Sequence, residues 1–237
     1  MNEEPNIVTY FGIPFNVGNV TSGLITAVLM FCLLFWLSRK IQMKPTGKQN
    51  VIEWIIDFTN GIIKNALPDE EGKNYSLLAF TLFVFIFLSN QIGLIFEFEY
   101  NGHEYLKSPT STPITTITLA FMVILLSHYL GVKKFGFGGY IKNSYLSPMP
   151  ALLPISILEQ FTNFLTLALR LYGNIFAGEV LLKLIFSLAK SHGILTYIPA
   201  IPLEILWQGF SVFIGSIQAY VFVTLTMVYI SQKVEKE

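Results

Sequence analysis

The sequence predicts an all-α integral membrane protein with about five transmembrane crossings, a cytoplasmic amphipathic helix and two long, tilted membrane helices at its C-terminal end. Three observations predict it. Of 237 residues, 53% are hydrophobic and only 13% are charged, whereas a soluble domain carries about 25% charged residues. The charges gather in short segments and leave apolar runs of about 18 residues or more, the length that spans a bilayer as helix. Basic residues are also distributed unevenly between alternate connecting segments, which sets an orientation. A formal net charge of zero gives no electrostatic footprint for nucleic acid.

Residues 1–19 contain Glu3 and Glu4 but no Lys or Arg. They lack the basic start of a secretory signal and are expected to form an extracellular N-terminus. Crossing one is predicted at 20–38. The cations that follow it, Arg39, Lys40, Lys44 and Lys48, put its C-terminal end in the cytoplasm. Cys32 lies within this run, cannot form an internal disulfide as the one cysteine, and is expected to be a packing residue. At 50–66 apolar residues recur at 51, 52, 55, 56, 58, 62 and 63, between Glu53, Asp57 and Lys64. That pattern is too charged to span and predicts either a helix lying on the cytoplasmic surface or a soluble helix within a loop.

Crossing two is predicted at 75–96 and leads into an acidic outer loop with Glu97, Glu99 and Glu104. Crossing three, at 113–132, returns to Lys133, Lys134 and Lys142, with a turn expected at Gly136 to Gly139. From 146 to 190 the chain is almost continuously apolar, about twice a spanning length. It reads as one long tilted or hairpin-bent helix, shaped at its start by Pro148, Pro150 and Pro154. The last crossing, at 198–231, ends in a cytoplasmic tail at 232–237. In this arrangement the inner segments hold Arg39, Lys40, Lys44, Lys48, Lys64, Lys73, Lys133, Lys134, Lys142, Lys233 and Lys236, and the outer ones only Lys107 and Lys190. The excess predicts N-terminus outside and C-terminus inside, in the cell membrane. No internal repeat is visible, which disfavours an inverted-repeat transporter.

The chemistry concentrates around Arg170. A guanidinium in the middle of an apolar run costs about 2.5–3.5 kcal/mol on insertion scales, and it cannot lose its proton to escape. Such a residue faces a carboxylate or a wet cavity. Glu159, Asn163, Thr166, Arg170 and Asn174 succeed one another at steps of three or four and share one helix face. A second stripe, Glu204, Gln208, Ser211, Gly215 and Gln218, repeats the pattern on the last helix. Polar stripes on membrane helices line water paths or bind other helices. Glu179 follows Arg170 by nine residues, about half a turn away around an ideal helix, and Lys183 one turn on offers it a salt bridge. A proton-carrying carboxylate on a separate access path is the functional alternative for Glu179. The three histidines, His103, His128 and His192, lack metal-site spacing. No nucleophile elbow, zinc motif or nucleotide fingerprint occurs, so no enzyme activity, cofactor or metal is expected for the chain itself.

Residues 165–179 read Leu-Thr-Leu-Ala-Leu-Arg-Leu-Tyr-Gly-Asn-Ile-Phe-Ala-Gly-Glu. This block strongly resembles subunit a of bacterial F-type ATP synthases. Met43 to Asn50, Ser147 to Pro150 and Gln218 to Tyr229 agree with the same family. The resemblance implies the stator half of a membrane proton channel, packed against a ring of subunit c and held with the subunit b stalk and the remaining synthase subunits. It implies that Arg170 faces the ring carboxylates and separates two aqueous half-channels, with Gln218 beside it and Asn174 and Glu179 on the following turns. Proton flow would then drive rotation and ATP synthesis elsewhere in the complex. One departure is visible: Thr112 stands where many relatives have an Asp. A histidine that some members carry near Ser211 is also missing, and Glu204 is the carboxylate two turns earlier. The competing class is a stand-alone ion channel or secondary transporter. The sequence leaves H⁺ and Na⁺ coupling open.

Overall fold

A computed structural model describes residues 7–10, 13–39, 42–44, 47–95, 98–100, 103–106, 108–145, 153–191 and 194–235. The N-terminal Glu3 and Glu4, the outer Lys107, the Pro148–Pro150 segment, His192 and Lys236 lie outside them. The element order is β1 (Ile7–Tyr10), β2 (Ile13–Asn16), α1 (Val17–Ser38), α2 (Lys48–Ala66), the single turn α3 (Asp69–Gly72), α4 (Ser76–Ile95), β3 (Phe98–Tyr100), β4 (His103–Leu106), α5 (Pro113–Tyr145), α6 (Leu153–Ser191) and α7 (Ile194–Val234). Five of these helices are long and apolar enough to cross a membrane. The membrane part of the chain is therefore all-α. Two short antiparallel hairpins, β1–β2 and β3–β4, occupy stretches that the sequence suggested only as an N-terminus and an acidic loop.

Two of the helices are much longer than one crossing. With 39 residues in α6 and 41 in α7, each has a contour of about 60 Å at 1.5 Å per residue, twice the roughly 30 Å hydrocarbon core. α6 is continuous, so the 146–190 run contains no hairpin among its described residues. Pro154 sits in its first turn, where a missing N–H costs nothing. Pro199 and Pro202 lie inside the first turns of α7, where membrane helices tolerate them through neighbouring donors and local adjustment. α5 runs on past 132 to Tyr145, but Gly136 has φ 72° and breaks it into two helical pieces. Only glycine adopts that conformation without strain.

The chain forms two compact units. One comprises residues 1–36, 84–112 and 171–219. In it, Gly18, Ser22 and Thr26 make a buried small-residue stripe along α1, and the Ser22 and Thr26 hydroxyls donate to the carbonyls four residues back at 2.6 and 2.8 Å. Small residues let helices approach closely, and back-bonding silences their hydroxyls. The rest of α1 is lipid-like surface, with Phe31, Phe35 and Trp36 exposed. Cys32 is exposed among them, which corrects its expected packing role.

The same unit holds a buried polar clasp. Asn90 of α4, fully buried, donates to the Gly215 carbonyl of α7 at 3.0 Å and accepts from the Thr110 hydroxyl at 2.8 Å. Gln91 donates to the Val212 carbonyl at 3.2 Å and the Ser108 hydroxyl to the Ser89 carbonyl at 3.0 Å. The 108–111 turn thus fits against α4 so tightly that a Cβ on Gly93 would collide with Ser108.

The other unit comprises residues 37–83, 113–170 and 220–237. The C-terminal part of α7 is its core, with Phe222, Val223, Met227 and Ile230 fully buried. Phe58 of α2 stacks on Trp54 and packs against Phe83 and Tyr220. The amphipathic α2 thereby docks Thr59, Ile62 and Ile63 inward and leaves Val51 and Trp54 exposed. Lys134 pairs with Glu71, and His128 is hydrogen-bonded to Tyr140.

Candidate proton-path residues

Within the second unit, α6 carries Glu159, Asn163, Thr166 and Arg170. Glu159, Thr166 and Arg170 are exposed and Asn163 is half-buried. Their neighbours Leu158, Phe161 and Leu169 are exposed as well, so the stripe runs through an otherwise greasy surface. Leu167, Ala168 and Leu171 take the buried side of the helix, which explains why the polar residues at the other phase point outward. Arg170 makes no hydrogen bond or ion pair with another described residue. Tyr229 of α7 lies within electrostatic reach of Arg170 and Glu159; the sequence reading passed over it because a tyrosine in an apolar run looks like packing.

In the first unit the site residues behave differently. Asn174 is exposed, yet its amide donates to Gln218 Oε1 at 2.8 Å. Gln218 is 2% exposed, and its own amide nitrogen has no hydrogen-bond partner. Ser211 is buried with an unbonded hydroxyl. Burying such groups dry is costly. Beside them lies a cavity of about 160 Å³ lined by Asn174, Ala177, Gly178, Trp207, Phe210 and Ser211. Trp207 closes one side, its indole N–H donating to the Gly178 carbonyl at 3.3 Å.

Glu179 is 4% exposed, on the opposite face of α6 from Arg170, as nine residues of helix require. Glu204 is exposed and Gln208 half-buried. The α7 stripe therefore passes from surface to interior along its length, while the α6 stripe stays at the surface. Within the first unit the two stripes join at Asn174–Gln218. The sequence reading missed Trp207, Asn90 and Gln91. The last two were visible as adjacent amides in an apolar run. Trp207 became informative only once its ring was seen against Gly178. Among the described residues no cluster of His, Cys, Asp or Glu could hold a metal.

The ATP synthase A chain family model matches residues 20–231. The chain belongs to that family. It is 57% identical to ATP synthase subunit a of Pediococcus pentosaceus over 228 residues, 96% of each chain. It is 58% identical to the Limosilactobacillus reuteri subunit, over 95% of this chain and 96% of that one. With the Listeria welshimeri subunit it shares 47% identity over the full length of both. Family membership with five apolar spanning helices makes it a multi-pass membrane subunit of an ATP synthase complex, engaged in proton transport for ATP synthesis and not itself the catalyst.

Proposed function

We propose that this chain is the stationary wall of a rotary proton path, with Arg170 as its electrostatic barrier. The observation that carries this reading is an exposed guanidinium, without an ion pair among the described residues, on a polar stripe flanked by exposed apolar side chains of a membrane helix. Such a charge calls for a carboxylate supplied from outside the chain. The partner that fits is a ring of subunit c, one carboxylate per membrane helix, with the b stalk holding this chain against the torque. A protonated carboxylate crosses lipid far more cheaply than a charged one. Arg170 makes the charged form favourable at one place, so each ring carboxylate must discharge its proton before passing. A proton falling through 100 mV releases about 2.3 kcal/mol, and rotation sums several such steps into one ATP.

The outer half-channel runs, on this reading, from Glu204 and Glu179 toward the cavity beside Asn174, Ser211 and Gln218. The cavity is roomy enough to hold water, and unbonded buried polar groups are what ordered water satisfies. The inner path follows Glu159, Asn163 and Thr166. With contours twice the bilayer core, α6 and α7 lie steeply tilted. The N-terminus is outside and the C-terminus inside, in the bacterial cell membrane. A stand-alone transporter would enclose its central charge within its own fold, whereas Arg170 opens outward.

The test is Arg170→Ala in membrane vesicles carrying the whole complex. Coupled ATP synthesis should fall to background and passive proton flux should rise, with normal amounts of the subunit in the membrane. Retained proton-driven synthesis would end this mechanism.

A further inference from the structure

On α7, Glu204, Trp207 and Ser211 follow one another at steps of three and four. They share one helix face, with Trp207 about one turn after Glu204 and about one turn before Ser211. Burial changes across that one residue. Glu204 is exposed, Trp207 is half-buried and Ser211 is buried. Next to the indole lies the cavity of about 160 Å³, with Asn174, Gly178, Phe210 and Ser211 in its wall and no charged side chain among its lining residues. The indole N–H spans from α7 to α6, donating to the Gly178 carbonyl at 3.3 Å. Gly178 has no side chain to hold the ring away, and the ring packs on Phe210 with centroids 5.3 Å apart.

We infer that Trp207 is the size barrier of this path: its indole bridges the two helices between Glu204 and the cavity, passes water and the protons it carries, and stops larger solutes. The inference rests on the outer path proposed above. The groups beside the cavity call for water. The Ser211 hydroxyl and the Gln218 amide nitrogen are buried without hydrogen-bond partners, and ordered water satisfies such groups. The bridge is a weak one, because its length lies beyond the usual range of about 2.7–3.2 Å. A ring held in this way yields to thermal motion without leaving its place. A dissolved ion meets the opposite conditions, a bulky apolar ring and then a neutral wall with no counter-charge. Apolar constrictions select in this manner. A proton needs only a chain of hydrogen-bonded waters, whereas a larger solute must displace the ring. Trp207 sets access and accepts no proton itself, since an indole N–H only donates. It is a positioning residue for the water of the path.

The test uses the whole ATP synthase in vesicles, carrying Cys32→Ser and Ser211→Cys, with Trp207 intact, Trp207→Phe or Trp207→Ala. Hydrogen peroxide, close to water in size, oxidises the thiol at position 211 to sulfenic acid. Trimethylammonium-ethyl methanethiosulfonate is bulky and impermeant. Both attack through the thiolate, so the ratio of their rates cancels any change in thiol acidity. Modification is read by the mass of the peptide containing position 211. With Trp207 intact, peroxide should react and the bulky reagent should lag far behind. The ratio of bulky reagent to peroxide should rise about fivefold in Trp207→Phe, the effect of one neutral hydrogen bond. It should rise more than about tenfold in Trp207→Ala, which removes the constriction itself. A ratio unchanged in both variants would overturn the barrier and leave the outer path standing. Both rates rising in proportion would mean loosened packing, and would overturn the barrier too. Entry of the bulky reagent in Trp207→Ala from the cytoplasmic side alone would keep the barrier and reverse the path's orientation. No reaction with peroxide in any variant would mean a dry cavity, which overturns both the barrier and the outer path. Where Trp207→Ala lowers the amount of subunit in the membrane, Trp207→Phe, which keeps an aromatic ring, carries the comparison.

Discussion

At the scale of single residues, side-chain chemistry and available space make separate demands. Arg170 is a demand of chemistry. Arg170→Lys keeps the charge, but an ammonium is more strongly hydrated and lacks the planar fork that meets a carboxylate. ATP synthesis should therefore drop well below wild type in Arg170→Lys vesicles, by an amount read directly beside Arg170→Ala. Gly93 is a demand of space. A methyl there would meet Ser108, including its backbone nitrogen at 2.7 Å, and backbone cannot move aside as a flexible side chain can. Gly93→Ala should cost about 1–3 kcal/mol or more, seen as a lower melting temperature of the purified complex or less subunit in the membrane. Gly23, with nothing within 4 Å of an added Cβ, is the matched control. Gly23→Ala should be neutral or slightly stabilising, since alanine favours helix by about 1 kcal/mol.

Elements are held together here by a few buried polar contacts among many apolar ones. Asn90 joins α4 to the Gly215 carbonyl and to Thr110 before α5, so one amide satisfies two partners. Asn90→Leu fills similar space but removes both hydrogen bonds, at about 0.5–1.5 kcal/mol each, while Thr110 keeps its bond with the Ser108 hydroxyl. Limited proteolysis should then cut the 108–112 turn faster than in the wild type. Asn90→Leu with wild-type resistance would mean that water replaces the amide. The adjacent polar pair Asn90–Gln91 was readable as a break in an apolar run. Its partners were not, because they lie 20 and 125 residues away along the chain. α2 shows the reverse case: its apolar spacing announced an amphipathic helix, and the Phe58 contacts show which face docks.

For the whole molecule, the proposed path makes two predictions. Glu179→Gln with Glu204→Gln should slow proton-driven synthesis strongly while leaving assembly intact, because both carboxylates are assigned to the outer half-channel. Near-normal synthesis in the double variant would leave water alone as the path. The orientation predicts that a cysteine at position 99 reacts with impermeant reagents only from outside, and cysteines at 133 and 134 only from the cytoplasm. A Cys32→Ser background is needed, since Cys32 is exposed. Labelling of position 99 only from the cytoplasm would reverse the topology.

By itself the sequence determined that this is a five-span helical membrane protein, that its charges are segregated, and that Arg170 is the residue most in need of explanation. Those features follow from local composition and helical periodicity, which do not depend on neighbours. The resemblance around residues 165–179 named the family that the comparisons then showed. Tertiary structure decided what periodicity cannot. Both stripes have the same spacing, yet one stays on the surface while the other sinks inward to Ser211 and Gln218, because a side chain's burial depends on what packs beside its helix. The same reason buries Glu179 and exposes Cys32.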